Sequence, residues 1–153
     1  MNNPTNLKYS KTHEWVQMID DSTALIGITD FAQEALGDIV FVNLPEPGDS
    51  VEAKTPFGDI ESVKAVSDMI CPVTGKVAEI NAVVIDEPEL INSDPYGTWL
   101  IKVENITKRE ELLDAVDYAL LKSLALDYKQ NGYKWSRTEL EEMIAEYKKK
   151  ISE

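Results

Sequence analysis

One lysine in this chain stands where a modifying enzyme could read it. In Phe57-Gly58-Asp59-Ile60-Glu61-Ser62-Val63-Lys64-Ala65-Val66-Ser67-Asp68, the residues Ile60, Ser62 and Lys64 share one parity of an alternating pattern. Pro56, Gly58 and Asp59 supply the break before them. Beyond the lysine, Met69-Ile70-Cys71 is apolar, Pro72-Val73-Thr74-Gly75 reads as a turn, and Lys76-Val77-Ala78-Glu79-Ile80 alternates again. The pattern is strand, tip, strand. Lys64 falls at the tip beside the small Ala65, with the acids Glu61 and Asp68 nearby. A primary amine presented in this way can be acylated. A solvated turn lysine fits the same local pattern and is the commoner case for an arbitrary lysine.

The rest of the chain carries little catalytic equipment. One histidine, His13, and one cysteine, Cys71, allow no Cys–His–acid set beyond a single chance pairing. Metal sites need several His/Cys ligands or a tight carboxylate cluster, and the sequence offers neither. Its seven glycines are scattered at turns, with no phosphate-cradling run. The missing toolkit would suit a non-catalytic carrier whose chemistry belongs to an attached group.

Composition sets wider bounds. A chain of 153 residues with 43% hydrophobic content suits one soluble globular domain with a real core. The net charge of −13, from 28 acids against 15 bases, argues against nucleic acid and suits partners with basic docking surfaces. A single cysteine forbids an intramolecular disulfide and fits a reducing compartment. No apolar run approaches membrane-span length. The segment Met1-Asn2-Asn3-Pro4-Thr5-Asn6 lacks both a signal core and an arginine-rich character. The expectation is a cytoplasmic monomer with no membrane or nucleic-acid partner.

The elements that must position the lysine are mostly short strands. Trp15–Ile19 and Thr23–Ile28 read as a hairpin around Asp20-Asp21-Ser22. Asp30 and Gln33 form a capping-box pattern, and Gly37 suits the residue after a short helix. Ile39 to Leu44 is a near-continuous apolar run, expected to be a strand buried on both faces and stopped by Pro45-Glu46-Pro47-Gly48. Between Ala82 and Gly97 the pattern is irregular, and Trp99–Val103 is the last expected strand. This pattern predicts a small barrel or sandwich. Thr107 and Glu110 then suggest a helix carrying Leu112, Leu113, Val116, Leu120, Leu121 and Leu124, up to a stop at Asn131-Gly132. Ser136 and Glu139 would cap a second helix with the apolar face Leu140, Met143, Ile144, Tyr147 and Ile151, ending in Lys148-Lys149-Lys150. Trp15 and Trp99 are assigned to the core, and Trp135 to pinning the appended helix.

From residue 7 to about 120 the chain resembles the H protein of the glycine cleavage system. Five blocks carry the likeness in order: Tyr9-Ser10-Lys11-Thr12-His13-Glu14-Trp15-Val16, the run Ile26 to Val42, Leu44-Pro45-Glu46-Pro47-Gly48, the lysine hairpin, and Asn92-Ser93-Asp94-Pro95-Tyr96-Gly97. The resemblance implies a mainly β fold with α additions, the barrel-sandwich hybrid or hammerhead of lipoyl domains. To it the pattern adds a C-terminal helical hairpin. Residues 1–126 would form the carrier domain and 127–153 an extension packed on it.

The resemblance also implies a function. Lys64 would carry lipoic acid in amide linkage, attached by a lipoate ligase or lipoyltransferase that reads Glu61, Val63 and Ala65. The arm would serve the P, T and L proteins in turn, taking the aminomethyl group of glycine from P to T and being reoxidised by L. Thr12, Glu14 and Asp68 would line a cleft that shields the loaded arm from water. Thr12 departs from the family's usual serine but keeps the hydroxyl. His13 is expected to make a structural hydrogen bond. Cys71 is expected to be a buried thiol, with disulfide exchange on the arm as the alternative. Three other readings share the lysine hairpin. Biotin attachment is disfavoured because Val63 and Ala65 replace the flanking methionines of biotin acceptors. A lipoyl-relay protein would hand lipoate to other enzymes or serve a stress-linked modification system. An unmodified interaction module would use the acidic surface and extra helix.

Overall fold

The computed structural model describes residues 3–122, together with the helical residues 142 and 145. The chain runs β1 (Lys8–Tyr9), β2 (Glu14–Asp20), β3 (Thr23–Ile28), α1 (Asp30–Leu36), β4 (Ile39–Asn43), β5 (Ser50–Val51), β6 (Pro56–Ser62), β7 (Val66–Ile70) and β8 (Val73–Ile80). Two single-turn helices, α2 (Val83–Asp86) and α3 (Leu90–Ser93), and the long strand β9 (Ile101–Arg109) follow. A further helical run occupies 115–122.

The strands form two antiparallel sheets, one ordered β1-β2-β3-β9-β8-β5 and the other β4-β6-β7. Each presents one apolar face to the other, as period-two alternation requires. Ile26, Ile28, Val73, Val77, Ile101 and Val103 from the larger sheet meet Ile39, Val42, Ile60 and Met69 from the smaller. A second cluster, Leu7, Tyr9, Trp15, Ala115 and Tyr118, ties β1 and β2 to the helix at 115–122. This is the mainly β sandwich hybrid that the strand pattern and the resemblance imply.

Several boundaries differ from the sequence expectation, each for a physical reason. The Ile39–Asn43 strand is buried on one face only. A register shift between Ile39 and Phe41 turns both Val40 and Phe41 outward, 52% and 47% exposed. Val73-Thr74-Gly75 is not a turn but the start of β8, which pairs with β9 as far as Arg109. That pairing also overrides the helix start expected at Thr107. Thr107 lies in β9, and the Glu110 N–H donates to the Pro72 carbonyl.

The helical run begins instead at 115, where the Asp114 side chain accepts the Asp117 N–H at 2.9 Å. Its buried face carries Ala115, Tyr118 and Lys122, while Val116 is 47% exposed. Helix α1 is capped by Thr29, whose hydroxyl accepts the Ala32 N–H; the Asp30–Gln33 contact joins two side chains. The irregular stretch from Ala82 holds α2 and α3. Leu124, the stop at Asn131-Gly132, the second cap at Ser136 and Glu139, Trp135, and the face from Leu140 to Ile151 lie outside the described residues.

Trp15 anchors the second cluster, 1% exposed, with its indole N–H donating to the Pro95 carbonyl at 3.0 Å. Gly27 is its cross-strand partner, and a Cβ there would stand 2.4 Å from the Trp15 ring. Gly27→Ala is therefore expected to lower stability by about 1–3 kcal/mol in denaturant unfolding, as overpacking does. An unchanged unfolding midpoint would show that the ring can move aside.

Candidate functional site

The tip between β6 and β7 is Ser62-Val63-Lys64-Ala65, closed by the Glu61–Val66 pair. Ser62 shapes it. Its N–H donates to the Ala65 carbonyl at 2.8 Å, and its hydroxyl oxygen accepts the N–H groups of Lys64 and Ala65 at 3.2 and 3.1 Å. Lys64 is exposed, as are its neighbours Glu61, Val63 and Ala65.

The tip is also tied to the body. The Val63 N–H donates to the Asp38 carbonyl at 3.0 Å, in the link between α1 and β4. The Lys64 stem lies over Gly37, where a Cβ would stand 2.8 Å from Lys64 Cε. Gly37 has φ 81°, a backbone that only glycine adopts freely. Asn92 locks the same link. Its carbonyl oxygen accepts the Ile39 N–H, and its amide donates to Gln33 Oε1 and the Gly37 carbonyl, each at 2.9 Å.

Beside this anchor lies a cleft of about 190 Å³. Residues 12–14 form one wall, Phe31, Ala32, Ala35 and Leu36 of α1 another, and Ile60, Ser67, Asp68 and Met69 of the lysine hairpin a third. The structure thus brings Thr12, Glu14 and Asp68 into one cleft and sets Lys64 on the hairpin that supplies its third wall. Thr12 and Asp68 are exposed, whereas Glu14 is 3% exposed.

Glu14 dominates the electrostatics. Burial pushes its carboxyl up to about 7, although hydrogen bonds from Thr12, Ser10 and the Ile70 N–H pull the other way. Glu14 Oε1 accepts from Ser10 Oγ at 2.9 Å and from Thr12 Oγ1, and Oε2 accepts the Ile70 N–H at 3.4 Å. Ser10 Oγ in turn accepts the Glu14 N–H at 3.0 Å. Such a carboxyl can switch charge near neutrality. A cation arriving in the cleft would favour its ionised form.

The neighbours play supporting parts. His13 has φ 74°, lies tilted by 38° against Phe31 with ring centres 4.6 Å apart, and places Nδ1 2.7 Å from the Tyr118 hydroxyl. Burial and then Lys122 push its imidazole down to about 4, so it is neutral at pH 7. Cys71 is fully buried, its thiol donating to the Val73 carbonyl at 3.1 Å and pushed up to about 11 by burial. A dry, protonated thiol suits structure, not disulfide exchange. Sequence reasoning gave no part to Ser10, Ser62, Asn92 or Tyr118. Only Ser62, a serine opening a turn, carries a local signal.

The fold is a two-sheet β sandwich hybrid that sets an exposed lysine at a hairpin tip beside a cleft. Residues 7–123 match the family model described as glycine cleavage H-protein. The glycine cleavage system H protein of Lachnoclostridium phytofermentans is 55% identical over 113 residues, 74% of this chain and 89% of that one. That of Carboxydothermus hydrogenoformans is 54% identical over 121 residues, 77% of this chain and 92% of that one. A crystal structure of a glycine cleavage system H protein from Mycobacterium marinum superposes with TM-score 0.76 at 42% identity, covering 79% of this chain and 99% of that one. The chain belongs to the glycine cleavage H-protein family.

Glu14 also leaves a mark on stability. Between the ordinary value of 4.5 and about 7, the folded state holds a proton that the unfolded state has lost. Glu14 therefore lowers stability as pH rises through that window. In Glu14→Gln this loss is absent. The variant's stability relative to wild type should climb with pH across the window, by on the order of 3 kcal/mol. Unfolding curves at several pH values test this, and a constant difference would contradict a raised Glu14.

Proposed function

We propose that this chain is the lipoyl-carrying shuttle of the glycine cleavage system, with lipoic acid in amide linkage on Lys64. The observation that carries the reading is an exposed lysine on a hairpin whose other residues wall a cleft floored by a buried carboxyl, in a chain of this family. Bound at Lys64, lipoic acid supplies a dithiolane on a long arm, able to carry the aminomethyl group of glycine and to be reoxidised.

The site suits such a group. Ile28, Phe31, Leu36 and Met69 offer apolar walls to the arm's hydrocarbon chain. Glu14 and Asp68 offer carboxyl groups to a cationic end, and the Thr12 hydroxyl orients Glu14. Walls that exclude water protect a hydrolysable cargo. Glu61, Val63 and Ala65, exposed beside the amine, present the surface that a lipoate ligase or lipoyltransferase reads. The P, T and L proteins then visit the arm in turn, and the carrier itself catalyses nothing. No helix among the described residues is long and apolar enough to cross a membrane. The buried free thiol of Cys71 suits a reducing compartment, and we place the carrier, as a monomer, in the cytoplasm.

Intact mass tests the attachment. Incubation with a lipoate ligase and lipoate should add one lipoyl group, and Lys64→Arg should abolish the gain, since arginine keeps the charge but offers no acylatable amine. Modification retained in Lys64→Arg, at Lys54 or Lys76, would overturn the assignment.

A further inference from the structure

Tyr118 does not itself line the cleft, yet its hydroxyl reaches residues in two of the cleft's walls. Its ring is fully buried and stacks on Tyr9 at 4.7 Å with 10° between the planes. Its hydroxyl lies 2.7 Å from His13 Nδ1 and 2.6 Å from Thr29 Oγ1. His13 lines the cleft between Thr12 and Glu14. Thr29 caps α1, whose Phe31, Ala32, Ala35 and Leu36 line the facing wall.

The directions of these bonds follow from proton counting. Thr29 Oγ1 already accepts the Ala32 N–H at 3.2 Å. Among the described residues, the only acceptor within reach of the buried Thr29 hydroxyl proton is the Tyr118 oxygen. The arrangement that satisfies every group has Thr29 donating to Tyr118 and Tyr118 donating its single proton to His13 Nδ1. The chain runs Ala32 N–H to Thr29 to Tyr118 to His13. A neutral His13 must then carry its own proton on Nε2.

We propose that Tyr118 is a positioning residue of the cleft: beside the backbone bond from the Thr29 N–H to the His13 carbonyl at 3.1 Å, its hydroxyl ties the His13 side chain to the N-terminus of α1 and sets how the walls that shield the lysine arm are held. The inference rests on the carrier reading above. It makes the helix at 115–122 part of the arm site from outside it. With the backbone bond and this hydroxyl both in place, the wall cannot shift without breaking a buried hydrogen bond.

His13 is the chain's one histidine, so its imidazole nitrogens give an unambiguous NMR signal. In the full-length wild type at pH 7, long-range proton–nitrogen spectra should show the Nε2–H tautomer. In Tyr118→Phe, which keeps the stacked ring, both tautomers should be populated. Mass spectrometry first establishes the lipoyl group on Lys64 in both proteins. After loading with glycine and the P protein, the arm's cargo should hydrolyse about fivefold faster in Tyr118→Phe, the order expected of one neutral buried hydrogen bond. An Nδ1–H tautomer in the wild type overturns the proposed bond. An equal hydrolysis rate in the variant overturns the positioning role, whatever the spectrum shows. Should Tyr118→Phe not fold, Thr29→Val breaks the same chain at its other end; it should keep the Nε2–H tautomer, since Tyr118 still donates to His13, and is read by the hydrolysis rate, where an unchanged rate overturns the positioning role. A wild type that takes no lipoyl group on Lys64 contradicts the carrier reading instead, and the tautomer still tests the bond.

Discussion

A carboxyl group kept almost dry is the constraint around which this molecule is arranged. Burial alone favours the protonated form of Glu14. Ser10 and Thr12 reach it from the same turn, and the Ile70 N–H reaches it from the end of β7. Those three donors bring it back to about 7, where it can release its proton when a cation approaches. The two sheets must meet here for this to happen, because Glu14 belongs to one and Ile70 to the other. The packing of Ile28, Ile60 and Met69 that holds the sheets together also builds the cleft.

The lysine tip is coupled to that cleft through α1. The Val63 N–H holds the Asp38 carbonyl, Gly37 leaves room for the Lys64 stem, and Asn92 fastens the chain between α1 and β4. A lysine tethered this way is exposed yet fixed in relation to the walls. On the proposed reading the arm supplies the motion the carrier needs, which keeps the ordering cost in the protein low.

Much of this could be read in the residues, and the failures share a cause. The lysine hairpin, the β2–β3 hairpin and the short helix before Gly37 follow from alternation and turn chemistry over a few neighbours. The part given to Glu14 and Thr12 came from the resemblance alone, and Ser10, four residues from Glu14, was given none although it donates to the same carboxyl. Strand ends were misplaced where a distant partner decides the outcome. Thr107 and Glu110 have the spacing of a helix cap, but β8 offers β9 a ladder that outweighs one cap. Ile39–Asn43 has the composition of a doubly buried strand, but its bulge and a sheet covered on one face leave Val40 and Phe41 outside. Tyr118 was invisible as a site residue because its partners stand 105 and 89 residues away. Helical periodicity drew attention to the leucines around it instead.

The central claim is that the arm on Lys64 delivers a cation to Glu14. A carbon-13 NMR titration of the Glu14 carboxyl, in the lipoylated protein before and after loading, tests it most directly. Before loading, the group should titrate near the value set by burial, about 7. After loading, a neighbouring positive charge should lower that midpoint by roughly one unit or more. A midpoint that stays put on loading would mean the cargo rests elsewhere, and Glu14 would then be a buried structural acid without a part in carrying it.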